Sequence, residues 1–131
     1  MTPALRYLVW ATLLTWVMLL VASLVRTNGW TSRGLLFAFG NRDDLPEASA
    51  LAGRAERAAR NMLENLVLFA ALVLTAHAVA PLHPRATVGA AIFFWARLAY
   101  APIYWAGLRY LRTGVWAVSV AGLAMIVSVL I

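Results

Sequence analysis

The sequence predicts an all-α integral membrane protein that folds as a bundle of four transmembrane helices. Hydrophobic residues make up 63% of the 131 positions and charged residues only 12%, which is too apolar for a soluble domain of this size. The apolar residues form four long runs, each close to the ~20 residues that a helix needs to cross a bilayer. Polar or proline-containing segments separate the runs, so we expect one membrane domain over residues 1–131.

The first span lies at about residues 5–25. Residues 7–25 carry no charge, and Arg6 and Arg26 bracket them. We prefer a retained helix to a cleaved signal peptide, because the apolar run exceeds the ~7 to 15 residues of a signal peptide's hydrophobic region.

A long polar connection follows the first span, because glycine, asparagine, aspartate and proline residues are frequent in residues 26–52. Four large apolar residues interrupt it, and exposing them to water would be costly. We therefore expect an interfacial or packed turn at these positions. They are Leu35, Leu36, Phe37 and Phe39.

The second helix is predicted to begin near Glu47, because Pro46 is tolerated in a first helical turn, and to end before Pro81. Its first half is polar, so its membrane span is placed at about residues 55–80. The third and fourth spans are placed at about residues 86–108 and 113–131.

The arginines predict the orientation in the membrane. All eleven positive charges are arginine, and the net charge is +6. Eight arginines lie in or beside the first and third connections, whereas Arg6 and Arg85 lie at the opposite side. The positive-inside rule then places both termini on the non-cytoplasmic side. Because this charge excess explains topology, we expect no nucleic-acid partner.

Candidate site residues are concentrated where the second helix enters the membrane, in the segment GRAERAARNMLENLVLF at residues 53–69. At about 100° per residue, four polar side chains share one face of this helix. They are Arg57, Arg60, Asn61 and Glu64. Charges at this depth are costly unless they are paired or bind a ligand. The four-residue spacings of Glu56, Arg60 and Glu64 also permit ion pairs within the helix, so a self-paired helix end is the alternative.

The third span carries a second polar face, on which Arg97, Tyr100 and Tyr104 lie within about 60°. An unpaired arginine in mid-span would cost several kcal/mol, so Arg97 needs a partner. The candidates are Glu64, the tyrosine hydroxyls or a bound anion. A purely structural bridge between Arg97 and Glu64 is the alternative to a ligand nearby.

The predicted cluster of Arg, Glu, Asn and Tyr side chains suits a multiply charged, peptide-like anion, since arginine binds carboxylates bidentately and Glu64 can pair an amine. Apolar grooves beside it would admit a lipophilic small molecule from the surrounding membrane lipids. No metal site is expected, because the chain has no cysteine and its two histidines, His77 and His83, have no other soft ligand nearby. Arg109 and Arg112, taken alone, are explained by topology.

Four segments together resemble the MAPEG superfamily, the membrane-associated proteins of eicosanoid and glutathione metabolism. They are RAARNMLEN at residues 57–65, RLAYAPIYW at 97–105, LRYLRTG at 108–114 and the lead-in NRDDLPE at 41–47. The lead-in is similar to the bacterial branch of the family, which implies the bacterial inner membrane. The likeness covers nearly the whole chain.

The resemblance implies a homotrimer that binds glutathione between neighbouring subunits, reached from the cytoplasmic side. Carried over by position, the glutathione contacts are Arg26, Arg60, Asn61, Glu64, Tyr100, Tyr104 and Thr113. Arg112 matches the catalytic arginine that stabilises the glutathione thiolate, and Arg109 is the competing assignment. Tyr100 stands where some members have histidine, which leaves the reaction subtype open.

We therefore expect a glutathione-dependent membrane transferase or peroxidase that acts on lipophilic electrophiles. The alternative is a non-catalytic lipid-binding or scaffold protein of the same fold, because the family also includes a non-catalytic lipid-binding member. A transporter is less favoured, since the chain shows no inverted repeat.

Overall fold

The computed structural model describes all 131 residues and contains five α-helices. They are α1 (Pro3–Thr27), α2 (Ser32–Phe39), α3 (Ala50–Val79), α4 (Pro84–Ala106) and α5 (Arg109–Leu130). All except the short α2 are long and apolar enough to cross a membrane. The predicted class, an all-α protein with four membrane-spanning helices, is confirmed.

The four long helices alternate in direction, because α1 and α4 end where α3 and α5 begin. This end also carries α2, and we call it the α2 end of the bundle. Several contacts join the helices there. Arg54 near the start of α3, for example, donates a hydrogen bond from Nε to the backbone carbonyl of Trp105 near the end of α4, at 2.8 Å.

The connection between α1 and α3 contains a helix, where the sequence predicted a turn. Thr31 caps α2 by accepting a hydrogen bond from the backbone N–H of Gly34 at 3.0 Å. Gly34 is buried against the end of α1, and a Cβ atom there would collide with the backbone carbonyls of Thr27 and Asn28. The opposite side of α2 points outward, with Leu36 75% and Phe39 88% exposed.

The second long helix begins at Ala50 and not near Glu47. Ser49 caps it, because its hydroxyl accepts a hydrogen bond from the backbone N–H of Ala52 at 3.1 Å. Pro46 lies outside the helix, and its carbonyl accepts a hydrogen bond from Arg26 Nη1 at 2.8 Å.

The last helix begins at Arg109, four residues before the predicted start at residue 113. Gly107 ends α4 in the left-handed region, with a φ of 80°, so that only Gly107 and Leu108 connect the two helices. A side chain other than glycine would be strained at this φ. Arg112 therefore lies inside the helix, whereas the predicted fourth span began one residue later.

Helix α4 lies at the centre of the bundle and packs against α1, α3 and α5. Half of its membrane-spanning window is buried, compared with 22% in each of the other three long helices. Phe93 on α4 stacks on Phe69 of α3 with ring centres 4.0 Å apart. Behind them, Arg97 is the largest fully buried side chain in the protein.

Helices α4 and α5 approach each other through glycine. A Cβ atom on Gly89 would lie 2.6 Å from the backbone carbonyl oxygen of Gly122. A Cβ atom on Gly122 would lie 2.7 Å from the carbonyl oxygen of Gly89 and 2.8 Å from the backbone nitrogen of Phe93. Backbone meets backbone here, so neither position has room for a methyl group.

We expect Gly122→Ala to destabilise the protein by about 1 to 3 kcal/mol, because α4 and α5 must separate to accommodate the new methyl group. Thermal unfolding in detergent measures the effect. Gly114→Ala on the same helix is the matched control, since a Cβ atom there meets nothing within 4 Å. An equal fall in Tm for both variants would contradict this account of the α4 and α5 contact.

Candidate functional site

A groove of about 410 Å³ opens toward the α2 end between α3, α4 and α5. The residues that line it are Arg57, Arg60, Asn61, Glu64, Tyr100, Tyr104, Arg112, Thr113 and Trp116. The structure thus brings together every predicted site residue except Arg26.

Helix α3 supplies the charged wall of the groove, because its residues at positions 57, 60, 61 and 64 recur at the helical period. The ion pairs that the spacing permits within α3 are not formed. Glu56 instead approaches Arg26 of α1, with Arg26 Nε 3.5 Å from Glu56 Oε1, in the one ion pair of the structure. Arg57, Arg60 and Glu64 therefore have no charged partner in the protein and can contact a ligand.

Helix α4 supplies the aromatic wall. Tyr100 and Tyr104 are both buried, and their rings meet edge to face with centres 5.3 Å apart. Arg112 of α5 crosses to this wall, since its Cζ atom lies 4.7 Å from the centre of the Tyr104 ring. This cation–π contact holds the Arg112 guanidinium beside the groove.

Arg97 lies behind the aromatic wall and is 0% exposed. Its Nη1 donates a hydrogen bond of 2.7 Å to Oδ1 of Asn61 on α3. Its Cζ atom also lies 5.5 Å from the ring centre of Phe93 and 5.0 Å from that of Tyr100. The bridge to Glu64, which the sequence left open as an alternative, is not formed. The guanidinium group of Arg97 contacts the neutral amide of Asn61 and the rings of Phe93 and Tyr100, and it contacts no carboxylate.

Arg26 lies apart from the groove. It forms an ion pair with Glu56 and donates a hydrogen bond to the backbone carbonyl of Pro46. It also borders a separate cavity of about 450 Å³, which α1 and α3 mainly form. Arg60 borders both this cavity and the groove. Within a single chain, Arg26 is therefore not one of the residues that line the groove.

Of the two arginines that flank Tyr110 and Leu111, only Arg112 lines the groove. Arg109 borders a shallow recess formed by residues 107–111. Thr113 belongs to the groove as predicted, and its hydroxyl donates a hydrogen bond to the backbone carbonyl of Arg109 at 3.1 Å. The Thr113 oxygen can still accept a hydrogen bond from a ligand.

Two lining residues were missing from the predicted set. Arg57 had been placed on the polar face of its helix but not among the ligand contacts, although Arg57, Asn61 and Glu64 follow an i, i+4, i+7 pattern. Trp116 was not among the predicted site residues. Its position one helical turn after Arg112 and Thr113 could have identified it, because residues three and four apart share a helix face. No group of three or more His, Cys, Asp or Glu side chains is placed to hold a metal ion.

A comparison with known families decides the identity of the fold. The sequence profile of the MAPEG family matches residues 7–131. The chain belongs to the MAPEG family. It is therefore a membrane protein of the kind that takes part in eicosanoid and glutathione metabolism, and the resemblance in its motifs is confirmed. No curated protein and no solved structure gives a significant match to this MAPEG chain.

Proposed function

We propose that this MAPEG protein is a glutathione-dependent membrane transferase or peroxidase that acts on lipophilic electrophiles. The observation that carries the proposal is the groove, in which three arginines, one glutamate, one asparagine and two tyrosines meet beside apolar membrane-spanning helices. Family membership supports a role in glutathione or eicosanoid metabolism, and the groove supports glutathione as the thiol substrate.

The polar groups of the groove complement those of glutathione, a tripeptide with two carboxylates, one amine, two amides and a thiol. Arg57 and Arg60 offer planar guanidinium groups that bind carboxylates bidentately. Glu64 offers the one carboxylate of the groove to the amine. The volume of about 410 Å³ falls within the ~300 to 1,000 Å³ of typical small-molecule sites.

Arg112 is the proposed catalytic residue. A guanidinium beside a thiol favours the ionised form and so lowers the thiol pKa, and the thiolate is the nucleophile. In a transferase reaction its sulfur attacks an electrophilic carbon, and an S–C bond forms as the leaving group departs. In a peroxidase reaction the sulfur attacks a peroxide oxygen, so that an S–O bond forms, the O–O bond breaks and the alcohol leaves. A second glutathione thiol then attacks the sulfenic acid sulfur, which gives the disulfide and water. Thr113 lies next to Arg112 and can accept a hydrogen bond from the bound ligand.

The lipophilic electrophile is proposed to enter from the membrane lipids. Trp116 lines the groove and is 42% exposed, so an apolar surface adjoins the polar ligand contacts. Beyond Trp116, α5 exposes Val118 and Val120. An apolar compound dissolved in the bilayer can therefore reach the thiolate without crossing water.

The position of Arg26 supports a site completed by a second subunit, and we propose the homotrimer that the family resemblance implies. Arg26 lies outside the groove of its own chain, so it can contact the same glutathione molecule only if another subunit presents it. We propose that the face formed by α1 and α3 of one subunit adjoins the groove of the next. We also propose that the α2 end, where eight of the eleven arginines lie along the sequence, faces the cytoplasm of a bacterium from its inner membrane.

Arg112→Ala should abolish thiolate formation while glutathione still binds, because Arg57, Arg60 and Glu64 remain. Ultraviolet absorbance of the thiolate reports its formation, and titration calorimetry in detergent reports binding. Arg109→Ala is the matched control and should keep the thiolate, since Arg109 lies outside the groove. If the thiolate still forms in Arg112→Ala, Arg112 is not the residue that stabilises it. No heat from glutathione with the unmodified protein would favour the non-catalytic alternative.

Arg26→Gln should weaken glutathione binding by about ten- to a hundredfold if the neighbouring subunit presents this arginine, as a lost charge-assisted hydrogen bond costs about 1.5 to 3 kcal/mol. Glu56→Gln is the matched control, because it breaks the same partly exposed ion pair but keeps Arg26. It should change Tm and affinity only slightly. Equal losses of affinity in both variants would count against a contact across subunits, as would a monomer in native mass spectrometry.

A further inference from the structure

The contact between Arg97 and Asn61 fixes which atoms of Asn61 face the groove. A guanidinium group carries only hydrogen-bond donors, so any group bonded to it must present an acceptor. The Asn61 side chain must therefore turn its oxygen toward Arg97, in agreement with the 2.7 Å bond from Nη1 to Oδ1. This orientation follows from the chemistry of the two groups.

The Asn61 amide nitrogen then faces away from Arg97, because the oxygen and the nitrogen stand at opposite edges of a planar group. Nδ2 has no hydrogen-bond partner in the protein. Unlike Nε and Nη2 of Arg97, it is not fully buried, so a ligand can reach it. The residue is half-buried and lines the groove. Two N–H donors of Asn61 are thus available to a ligand.

Arg97 itself is well fixed. It is fully buried on the central helix, with the Phe93 and Tyr100 rings beside its guanidinium group. Its Nε and Nη2 atoms have no acceptor in the protein, so Asn61 supplies its one hydrogen bond. Without Arg97, the terminal torsion of Asn61 would have two broad minima and could present either the oxygen or the nitrogen to the groove.

We propose that Arg97 is a positioning residue that acts through Asn61 and makes this point of the groove a donor-only site. The ligand atom at Asn61 is then a hydrogen-bond acceptor, such as a carboxylate or carbonyl oxygen, and an ammonium group is excluded there. The identification of that ligand as glutathione rests on the proposed function. For glutathione, the amine goes to Glu64, one helical turn along α3, and a carboxylate or peptide carbonyl goes to Asn61.

The first test changes the groove-facing atom and keeps the contact to Arg97. Asn61→Asp retains an acceptor for Arg97, but it presents a second oxygen to the groove in place of the N–H donors. Calorimetry should show glutathione affinity reduced by at least about tenfold, the cost of a lost hydrogen bond to a charged or carbonyl group. The Tm should stay at or above that of the unmodified protein. Unchanged affinity would overturn the proposal.

The second test asks whether Arg97 acts through Asn61. Arg97→Met should lower glutathione affinity in the unmodified background but not in an Asn61→Ala background, because the amide that Arg97 orients is then gone. Arg54→Met is the matched control, since Arg54 also ties α3 to α4 but does not line the groove. It should lower Tm without changing affinity. Equal loss of affinity from Arg97→Met in both backgrounds would overturn the proposal.

Failure of the proposed function is distinguishable from failure of this inference. If glutathione gives no heat with the unmodified protein, the proposed function fails, and the orientation of Asn61 is then tested by thermal unfolding alone. Asn61→Asp should keep the Tm while Asn61→Leu lowers it, because only aspartate accepts from Arg97. If Asn61→Asp is as destabilising as Asn61→Leu, the fixed orientation is overturned.

Discussion

The burial of Arg97 is the constraint on which the arrangement of the α2 end depends. A charge in the middle of a membrane-spanning helix costs several kcal/mol unless polar groups compensate it. Asn61 on α3 provides one hydrogen bond, and the rings of Phe93 and Tyr100 provide cation–π contacts. Because Asn61 lies on α3 and Arg97 on α4, this one hydrogen bond ties the register of the two helices together. Asn61 and Tyr104 both line the groove.

At the α2 end, Arg26 and Arg54 differ from Arg57 and Arg60 in their partners. Arg26 and Arg54 bond to carbonyl or carboxylate oxygens of the protein, so their charge is used to join helices. Arg57 and Arg60 line the groove with no acidic partner, and Glu64 is the only carboxylate there. A groove with more guanidinium groups than carboxylates attracts anions. Its low-dielectric walls focus the positive electrostatic potential within the groove. Among these four arginines, the paired ones therefore join helices, whereas the unpaired ones suit a ligand.

Hydropathy was sufficient to predict the four spans, and the 3.6-residue period was sufficient to place Asn61 and Glu64 on one face of α3. Contacts between helices were not predictable in the same way, because they depend on how far each side chain reaches across a packed interface. The sequence left Glu64, the tyrosine hydroxyls and a bound anion as candidate partners of Arg97, whereas the structure uses the neutral Asn61, one turn from Glu64. Periodicity likewise could not separate Arg26 from the groove, since pairing with Glu56 depends on the packing of α1 on α3.

The true start of α5 changes how Arg112 can act. In a flexible loop, an arginine would have to be ordered each time a ligand bound, and that ordering would cost conformational entropy. Inside a helix that follows a two-residue connection, its backbone is fixed and its side chain rests on the Tyr104 ring. The amino-terminal end of α5 also carries a partial positive charge from the helix dipole, which favours an anion within the first turn. A thiolate beside Arg112 would thus meet a charge that is already in place, and preorganised electrostatics of this kind lower a reaction barrier without reorganisation at the moment of reaction.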